Sequence, residues 1–397
     1  MTGPRVPDFA RERRAVAVVF AVHGAAVGSF ASRIPWLQDR LHLDPGQIGL
    51  ALVTGAVGAL IAMPFTGRAI HRRGSATMAR RLIPLWCAAM ALPSFAPNLW
   101  VLCGLLFVYG ATAGTSDVAM NAQAVAIEGQ LGRPIMSGLH GAWSVGGLLG
   151  AGGGALAAHT RTGARTHLGL AAVLLIGCGV WATHLLVDTP QKEHLESPPL
   201  FALPARAIWW IGAVGFCAIF AEASAADWCA VYLRTVTGAT DQTAAAAYAT
   251  FALTMAAGRI AGDAVVARVG VVRTVRGSGV TATLGAALVT VARNPALAFA
   301  GFALLGVGVA TVVPLAFAAA GRVGEHAGQS IAGVATIAYG AGLAAPAIVG
   351  GVAQLTSLPV AFALVTALAT LIFLGGNAIR PAAAEAMPSV ASEILPA

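Results

Sequence analysis

Long apolar segments separated by short polar turns run along almost the whole chain. A helix needs about 20 mainly apolar residues to cross the hydrocarbon core of a bilayer. Segments close to that length predict twelve membrane-spanning helices, numbered spans 1 to 12 in chain order: 15–37, 46–66, 82–97, 99–126, 135–158, 167–187, 207–232, 243–265, 275–292, 296–319, 330–352 and 358–379. The pattern therefore predicts an all-α membrane protein.

The least apolar internal stretch lies in the middle of the chain, at residues 188–206, and reads DTPQKEHLESPPLFALPAR. It predicts a cytoplasmic linker between an N-terminal six-helix bundle, residues 1–187, and a C-terminal six-helix bundle, residues 207–379. The tail, residues 380–397, is rich in Ala, Pro and Ser and is expected to be a disordered cytoplasmic segment.

The two halves repeat each other at a constant offset. IMSGLHGAWSVGGLLGAGGG, which starts at Ile135, aligns with IAGVATIAYGAGLAAPAIVG, which starts at Ile331, so the offset is 331 − 135 = 196 residues. The same offset places Trp143 on Tyr339. This repeat predicts two parallel six-helix halves related by an axis along the membrane normal.

Composition and charge agree with a membrane protein. Hydrophobic residues make up 57% of the chain and charged residues only 10%, whereas a soluble domain carries roughly 25% charged residues. Most of the basic residues lie in short loops on the side of the N-terminus, which predicts that both termini are cytoplasmic in a multi-pass protein of the cytoplasmic membrane. The net charge of +8 therefore indicates orientation in a bilayer, and no nucleic-acid partner is expected.

Several other classes of function are disfavoured. The five cysteines lie in apolar segments without paired spacing, so we interpret them as packing residues and expect no metal site or disulfide. The glycine runs lack the Lys and Ser/Thr of a phosphate-binding loop, which argues against ATP-driven transport. The nine histidines are scattered, which argues against a membrane enzyme, and neither a catalytic residue nor a cofactor is expected.

Polar and ionisable residues inside the spans are the candidate functional residues, because such groups are costly in a membrane and mark substrate or ion pathways by default. Asp117 and Asn121 share a helical face in span 4, and His140 and Trp143 share one in span 5. The carboxylate and amide could bind a polyol or sugar, the indole could stack on the solute, and the imidazole could carry a coupling proton. Hydrogen bonds that only pack helices are the alternative.

Span 7 carries Glu222, Asp227 and Trp228. Glu222 lies deeper in the span and is the better candidate for a proton-coupling carboxyl group. Asp227 lies nearer the outside and is expected to pair with Arg33, either as an extracellular gate or as a structural ion pair. The predicted substrate-binding residues are His23, Asp117, Asn121, His140, Trp143, Glu222, Trp228 and Tyr339, and the predicted proton-coupling residues are Glu222, Asp117 and His140.

The loop between spans 2 and 3, GRAIHRRG from Gly67 to Gly74, resembles the signature loop Gly-x-x-x-Asp-Arg-x-Gly of the major facilitator superfamily. His71 stands where that family has Asp. The segments SDVAMNAQAVAIE, GRPIMSGLHGAWSVGG and EASAADWCAVYL resemble the MosC/YbjJ-like branch of the family. The resemblance extends over nearly the whole chain and implies the major facilitator fold, with twelve transmembrane helices in two pseudo-symmetric six-helix bundles.

The resemblance also implies a cytoplasmic latch that opens and closes a central site. Arg259 and Asp263 are one helical turn apart, which is a spacing suited to a salt bridge. The predicted gating residues are Arg33, Asp227, Gly67, Arg72, Gly74, Arg259, Asp263 and Arg268. Ordinary anchoring of basic residues at the cytoplasmic surface is the alternative for the members of this group other than Arg33 and Asp227.

We therefore expect a monomeric secondary active transporter with a site near the bilayer midplane between two rocking bundles. Its expected cargo is a small polar organic solute, sugar-like or polyol-like, and its expected driving force is a proton gradient. A proton-driven multidrug or metabolite exporter and a non-transporting membrane sensor are the alternatives.

Overall fold

The computed structural model describes residues 9–43, 45–188, 206–239, 241–324 and 326–380. These residues form fourteen α-helices and two short 3-10 helices, and they contain no strand. The α-helices are α1 (Phe9–Ala31), α2 (Ile34–Arg40), α3 (Pro45–Arg73), α4 (Ser75–Ala89), α5 (Leu99–Leu131), α6 (Met136–His159), α7 (Ala164–His184), α8 (Arg206–Thr237), α9 (Asp241–Val269), α10 (Val271–Val291), α11 (Pro295–Val309), α12 (Val312–Ala320), α13 (Ala327–Leu355) and α14 (Leu358–Gly375).

Within the described residues, nine helices are long and apolar enough to cross a membrane, and α11 and α12 together count as one of them. The prediction of an all-α membrane protein is confirmed. Three of the twelve predicted spans, 82–97, 135–158 and 275–292, correspond to α4, α6 and α10, which do not meet the same criterion. The 15 residues of α4 are too few, and the count of twelve membrane-spanning helices stays a prediction.

Besides span 3, in which α4 ends at Ala89 before a short 3-10 helix, two predicted spans are interrupted in the structure. Span 1 was expected to run to residue 37, but α1 ends at Ala31 and the short α2 begins at Ile34. Span 10 is divided into α11 and α12 around Ala310 and Thr311. Pro314 explains the second break, because it has no N–H to donate to the carbonyl group of Ala310 and its ring crowds that carbonyl.

The repeat at an offset of 196 residues is visible in the helix bounds. Helices α3 and α9 both have 29 residues, and both ends are related by the offset, since 241 − 45 = 196 and 269 − 73 = 196. Gly74 and Gly270 end these helices with the same left-handed φ of 83°, which glycine adopts at little steric cost. Asn98 and Asn294 cap α5 and α11 in the same way, each accepting a 3.0 Å hydrogen bond from a backbone N–H.

The helices pack mainly within each half of the chain. Helix α1 packs against α6 and α7, and α3 against α5, while α8 packs against α13 and α10 packs against α11 and α14. The backbones of α1 and α6 are in direct contact, because a Cβ added to Gly24 or Gly28 would collide with the backbone carbonyls of Trp143 or Gly147, and one added to Gly146 would collide with that of Ala21.

The most extensive contacts between the two halves are those of α3 with α13 and of α6 with α9, and smaller ones join α12 to α5 and α6, and α13 to α5. The linker and tail predictions fall on residues 189–205 and 381–397, which lie outside the described residues. The division into bundles of residues 1–187 and 207–379 stays a prediction. At its edge, Asp188 accepts hydrogen bonds from the backbone N–H groups of Ala76 and Thr77, so this first residue of the predicted linker caps α4.

Candidate functional site

A cavity of about 560 Å³ lies between the two halves. Helices α1, α3, α5 and α6 line it on one side, and α8, α9, α12 and α13 line it on the other. Much of the wall consists of alanine, glycine and aliphatic side chains. The polar and aromatic residues that line it are His23, Asp117, His140, Trp143, Glu222, Asp227, Arg259 and Tyr339. The fold thus brings residues from both halves to one cavity.

An ion pair between Glu222 and Arg259 occupies the second-half side of this cavity. Nη2 of Arg259, on α9, lies 3.2 Å from both Oε1 and Oε2 of Glu222, on α8. Arg259 is buried at 4% exposure, while a quarter of the Glu222 side chain is exposed. The guanidinium group therefore needs the carboxylate, because a buried charge without a partner is strongly destabilising.

Arg259 also reaches across to the first half. Its Nη1 donates a 2.9 Å hydrogen bond to Oγ of Ser144, and its guanidinium lies over the indole of Trp143 at 6.0 Å from the ring centroid. Nε of Arg259 is buried and has no hydrogen-bond acceptor among the described residues. One side chain thus links α8, α9 and α6 and still carries an unpaired donor.

A second contact between the halves is formed by Asp117 and Tyr339. The hydroxyl group of Tyr339, on α13, donates a 2.9 Å hydrogen bond to Oδ2 of Asp117, on α5. Asp117 is 7% exposed and lines the cavity. This pairing joins two residues that the sequence placed in separate groups, one as an acid in span 4 and one as the repeat partner of Trp143.

His140 is held in place by Asn121. Nε2 of His140 lies 3.3 Å from Oδ1 of Asn121, whose amide nitrogen donates to the backbone carbonyl of Asp117 at 2.9 Å. Because the amide nitrogen of Asn121 is the donor in one bond, its Oδ1 accepts in the other, and Nε2 of His140 carries a proton. Asn121 is fully buried and supports the site without lining the cavity.

His23 and Trp143 form a similar pair on the α1–α6 wall. Nε1 of Trp143 donates a 3.1 Å hydrogen bond to Nδ1 of His23, and Nε2 of His23 lies 3.3 Å from the carbonyl oxygen of Ala113. The imidazole also stacks on Trp86 at 5.2 Å between ring centroids. Since Nδ1 accepts a hydrogen bond, this arrangement requires a neutral imidazole with its proton on Nε2.

Three predicted residues have other surroundings than expected. Arg33 does not pair with Asp227 in this structure, because its Nε donates to Nδ1 of His167 at 3.2 Å. Asp227 is exposed in the cavity, and no hydrogen bond or ion pair from the described residues reaches its carboxylate. Trp228 does not line the cavity; its ring packs against Gly350. The helix period explains Trp228, because adjacent residues point about 100° apart.

The predicted salt bridge between Arg259 and Asp263 is wrong. Asp263 accepts hydrogen bonds from the backbone N–H groups of Ser137 and Gly138, at 2.9 and 2.8 Å, at the start of α6. The amides at a helix N-terminus and the helix dipole stabilise a carboxylate there, and Arg259 is directed to Glu222 instead. Asp263 therefore joins α9 of the second half to α6 of the first.

Sequence reasoning missed a second carboxylate at the same helix end. Oε2 of Glu128 accepts from the backbone N–H groups of Ile135 and Met136, at 2.9 and 3.1 Å, and its Oε1 lies 2.8 Å from Nη2 of Arg322 in the other half. A signal was present, because Glu128 opens the polar turn before α6 and acidic residues near a helix start often cap it. Its partner Arg322 lies 194 residues away and could not be read from local spacing.

The remaining predicted gating residues surround the same end of the molecule, which we call the N-terminal face because α1 begins there. Gly67 lies against the backbone of Gln329, and Gly74 lies against Asp188. Arg72 and Arg268 are both exposed. His71, in the position where the signature loop has Asp, packs edge-to-face on His326 at 4.8 Å between ring centroids.

Comparisons with known proteins agree with this architecture. A family model described as Major Facilitator Superfamily matches residues 16–346. An uncharacterized transporter of Sinorhizobium fredii is 35% identical over 362 residues, which cover 90% of this chain and 96% of that protein. An uncharacterized MFS-type transporter of Yersinia pestis is 33% identical, covering 91% and 94%, and the membrane protein MosC of Rhizobium meliloti is 31% identical, covering 90% and 88%.

Solved structures share the fold at low identity. The E. coli fucose:proton symporter FucP superposes with a TM-score of 0.75 at 14% identity, covering 95% of this chain and all of that one. The human organic anion transporter MFSD10 superposes with a TM-score of 0.72 at 15% identity, covering 94% of this chain and all of the other.

Proposed function

Because the chain belongs to the major facilitator superfamily of membrane transporters, we propose that it moves a small polar organic solute by alternating access, driven by protons. The solute binds in the cavity between the halves, and the two halves rock around it. The proposed location is the cytoplasmic membrane, with the N-terminal face towards the cytoplasm.

The central cavity is the observation that carries this proposal. It lies between the two repeats and is lined by three carboxylates, one guanidinium, two imidazoles and two aromatic side chains, whereas binding sites for small molecules usually have apolar walls with a few convergent polar groups. Such a set of groups is costly inside a membrane protein unless it serves transport. The solved structure of FucP is that of a symporter for fucose and protons. At 14% identity, its similarity to this chain supports the fold alone.

The proposed gate consists of the contacts between halves at the N-terminal face. Asp263 and Glu128 hold the start of α6, and Gly67 packs against the start of α13. These contacts support a state in which the N-terminal face is closed and the cavity opens on the opposite face, where Asp227 is exposed. The transport cycle then requires these contacts to break.

Glu222 is the proposed proton carrier. In its charged form it neutralises Arg259, so that a proton on Glu222 would leave a buried guanidinium without its counter-charge. Protonation at this point therefore changes the contacts of a side chain that also binds Ser144 on α6. This provides a physical link between proton uptake and the packing of the two halves.

The test is a solute screen with the purified protein in liposomes under an imposed pH gradient. Wild-type protein should accumulate one class of polar solute against its concentration gradient, and collapse of the pH gradient should stop the accumulation. Glu222→Gln should abolish accumulation while solute exchange across the membrane continues. Unchanged accumulation in Glu222→Gln would remove this residue from the coupling step.

A further inference from the structure

The charges that line the central cavity do not cancel. Three carboxylates line it, those of Asp117, Glu222 and Asp227, and Arg259 is the guanidinium that lines it. The carboxylate of Glu222 neutralises the charge of Arg259 in the ion pair at 3.2 Å. Among the described residues, neither Asp117 nor Asp227 has a basic partner, so the cavity as built has an excess of negative charge.

The histidines of the cavity do not supply the missing positive charge in this arrangement. Nδ1 of His23 accepts the indole N–H of Trp143, and a proton on that nitrogen would break the bond. His140 uses its Nε2 on Asn121, and its ring lies between Phe317 and Phe20, both apolar. The side chains that line the cavity therefore do not compensate its excess negative charge, and a positively charged solute could do so.

Asp227 is the carboxylate best placed to meet a cation from solution. It is exposed, and it follows Glu222 by five residues, or about 7.5 Å along the helix, towards the open end of the cavity. Asp117 is buried and accepts a hydrogen bond from Tyr339. Even if Asp117 holds a proton during the cycle, the charge of Asp227 remains uncompensated.

A second feature of the cavity, the unpaired Nε of Arg259, favours a solute that also carries a hydrogen-bond acceptor. Arg259 is 96% buried and lines the cavity, and its Nε has no acceptor among the described residues. A buried N–H group without an acceptor is costly. Because the charge of Arg259 is already balanced by Glu222, a neutral oxygen such as a hydroxyl group suffices as the acceptor, and a second anion is not required.

We propose that the cargo is a hydroxylated organic amine, whose ammonium group binds Asp227 and one of whose oxygens accepts a hydrogen bond from Nε of Arg259. This inference rests on the transport function proposed above and narrows its substrate class. A neutral polyol would use the Arg259 donor and leave Asp227 unpaired, and an acid would be repelled by the excess of carboxylates. An apolar amine would leave the Arg259 donor unpaired.

Two matched sets of probes test the proposal by binding. Glucosamine is compared with glucose and glucuronate, and ethanolamine is compared with ethylene glycol and glycolate. Each probe is added at millimolar concentration to the purified protein, and the rise in its unfolding temperature gives an apparent Kd. In at least one set the amine should bind about tenfold more tightly than its neutral and acidic counterparts, since a charge-assisted hydrogen bond contributes about that factor.

The preference for the amine should depend on Asp227. Asp227→Asn keeps the size of the side chain and removes its charge, and the amine should then bind no better than the neutral probe. Asp39→Asn is the matched control, because Asp39 is an exposed residue of α2 outside the cavity lining, and it should keep the preference. Equal or better binding of the neutral or acidic probes, a preference that survives in Asp227→Asn, or no binding of either amine overturns the proposal.

Flux measurements separate this inference from the function it rests on. Amines that bind through Asp227 without crossing the membrane in liposomes would refute transport and leave the binding chemistry standing. Accumulation of a neutral or acidic solute that does not compete with the amines would support transport and refute the amine.

Discussion

Arg259 is the residue on which the central site depends most. It contacts Glu222 on α8 and both Ser144 and Trp143 on α6, although it belongs to α9. One turn further along α9, Asp263 holds the start of α6. A change in the charge of Glu222 therefore alters the contacts of α9, which binds α6 of the opposite half through both Arg259 and Asp263.

Arg259→Lys should impair transport although it keeps the positive charge. A lysine ammonium lacks the planar fork that lets a guanidinium bind Glu222 and Ser144 at the same time. Loss of one charge-assisted hydrogen bond costs about 1.5–3 kcal/mol, so the initial rate of solute uptake in liposomes should fall about tenfold or more.

Arg268→Lys provides the matched control for this prediction. Arg268 lies on the same helix but is exposed, and no hydrogen bond or ion pair joins its side chain to another described residue. The gating role expected for it from the sequence therefore has no contact to act through here, and its replacement should leave the uptake rate unchanged. Equal losses in the two variants would show that the effect comes from general damage to α9 and not from the contacts of Arg259.

At this scale the sequence predicted which residue types form the site but not which atoms meet. The rule that charged groups inside spans are functional candidates found His23, Asp117, Glu222 and Arg259. The rule that residues four apart on a helix pair with each other led to the wrong partner for Arg259, because it considers a single helix. The real partner, Glu222, comes from a neighbouring helix whose rotation about its axis is set by tertiary packing.

The start of α6 is the element with the most specific polar contacts between the halves. Four consecutive backbone N–H groups, those of residues 135 to 138, donate to two carboxylates, Glu128 from the first half and Asp263 from the second. Helix starts leave such groups without partners, and carboxylates near them gain from the helix dipole. The contact between the halves at the N-terminal face therefore includes a helix cap to which both halves contribute.

Asp263→Asn should loosen this face. An asparagine retains one oxygen, so one of the two hydrogen bonds to Ser137 and Gly138 is lost together with the charge. With the native cysteines replaced by alanine, a cysteine introduced at Ala226 in the cavity should react faster with an impermeant maleimide applied from the N-terminal face.

Asp188→Asn is the control for this experiment, because it removes a comparable cap that lies within one half. Asp188 binds the backbone N–H groups of Ala76 and Thr77 at the start of α4. Its loss should cost about 1 kcal/mol of stability and so lower the unfolding temperature, without changing the labelling of the cavity cysteine. Faster labelling in Asp188→Asn alone would contradict the assignment of Asp263 to the gate.

Helix positions were easier to predict than helix ends. Apolar segments gave α3, α5, α8, α9, α13 and α14 because long apolar runs have few alternatives in a membrane. The break at Pro314 and the start of α4 at Ser75, seven residues before the predicted span, depend on local backbone geometry. Gly74, with its left-handed conformation, sets that start. The arginines on both sides of it lower the local hydropathy, so a criterion based on apolar segments places the start of the span too late.

For the molecule as a whole, the proposed cycle requires the contacts at the N-terminal face to open for the solute to pass. Gly321, which follows α12, and Val125 of α5 come from opposite halves, and a Cβ added to Gly321 would lie 3.1 Å from Cβ of Val125. Disulfides need a Cβ–Cβ distance of about 3.5–4.5 Å, so a small relaxation suffices to fit one.

The double variant Val125→Cys and Gly321→Cys, in the background without native cysteines, should therefore stop transport when oxidised and recover it when reduced. Each single variant should transport at the same rate with and without oxidant. Full transport by the oxidised double variant, with the cross-link verified by mass, would exclude a cycle in which this face opens.

The backbone contact of α1 and α6 through Gly24, Gly28 and Gly146 has a mechanical consequence. No layer of side chains separates these helices, so they cannot slide past each other without a steric clash and should tilt together as one stiff lever. Asp263 binds this pair of helices at the start of α6, and His23 and Trp143 form part of the cavity wall further along them. A small displacement at the helix start would therefore become a larger swing of that wall, which would widen or close the mouth of the cavity.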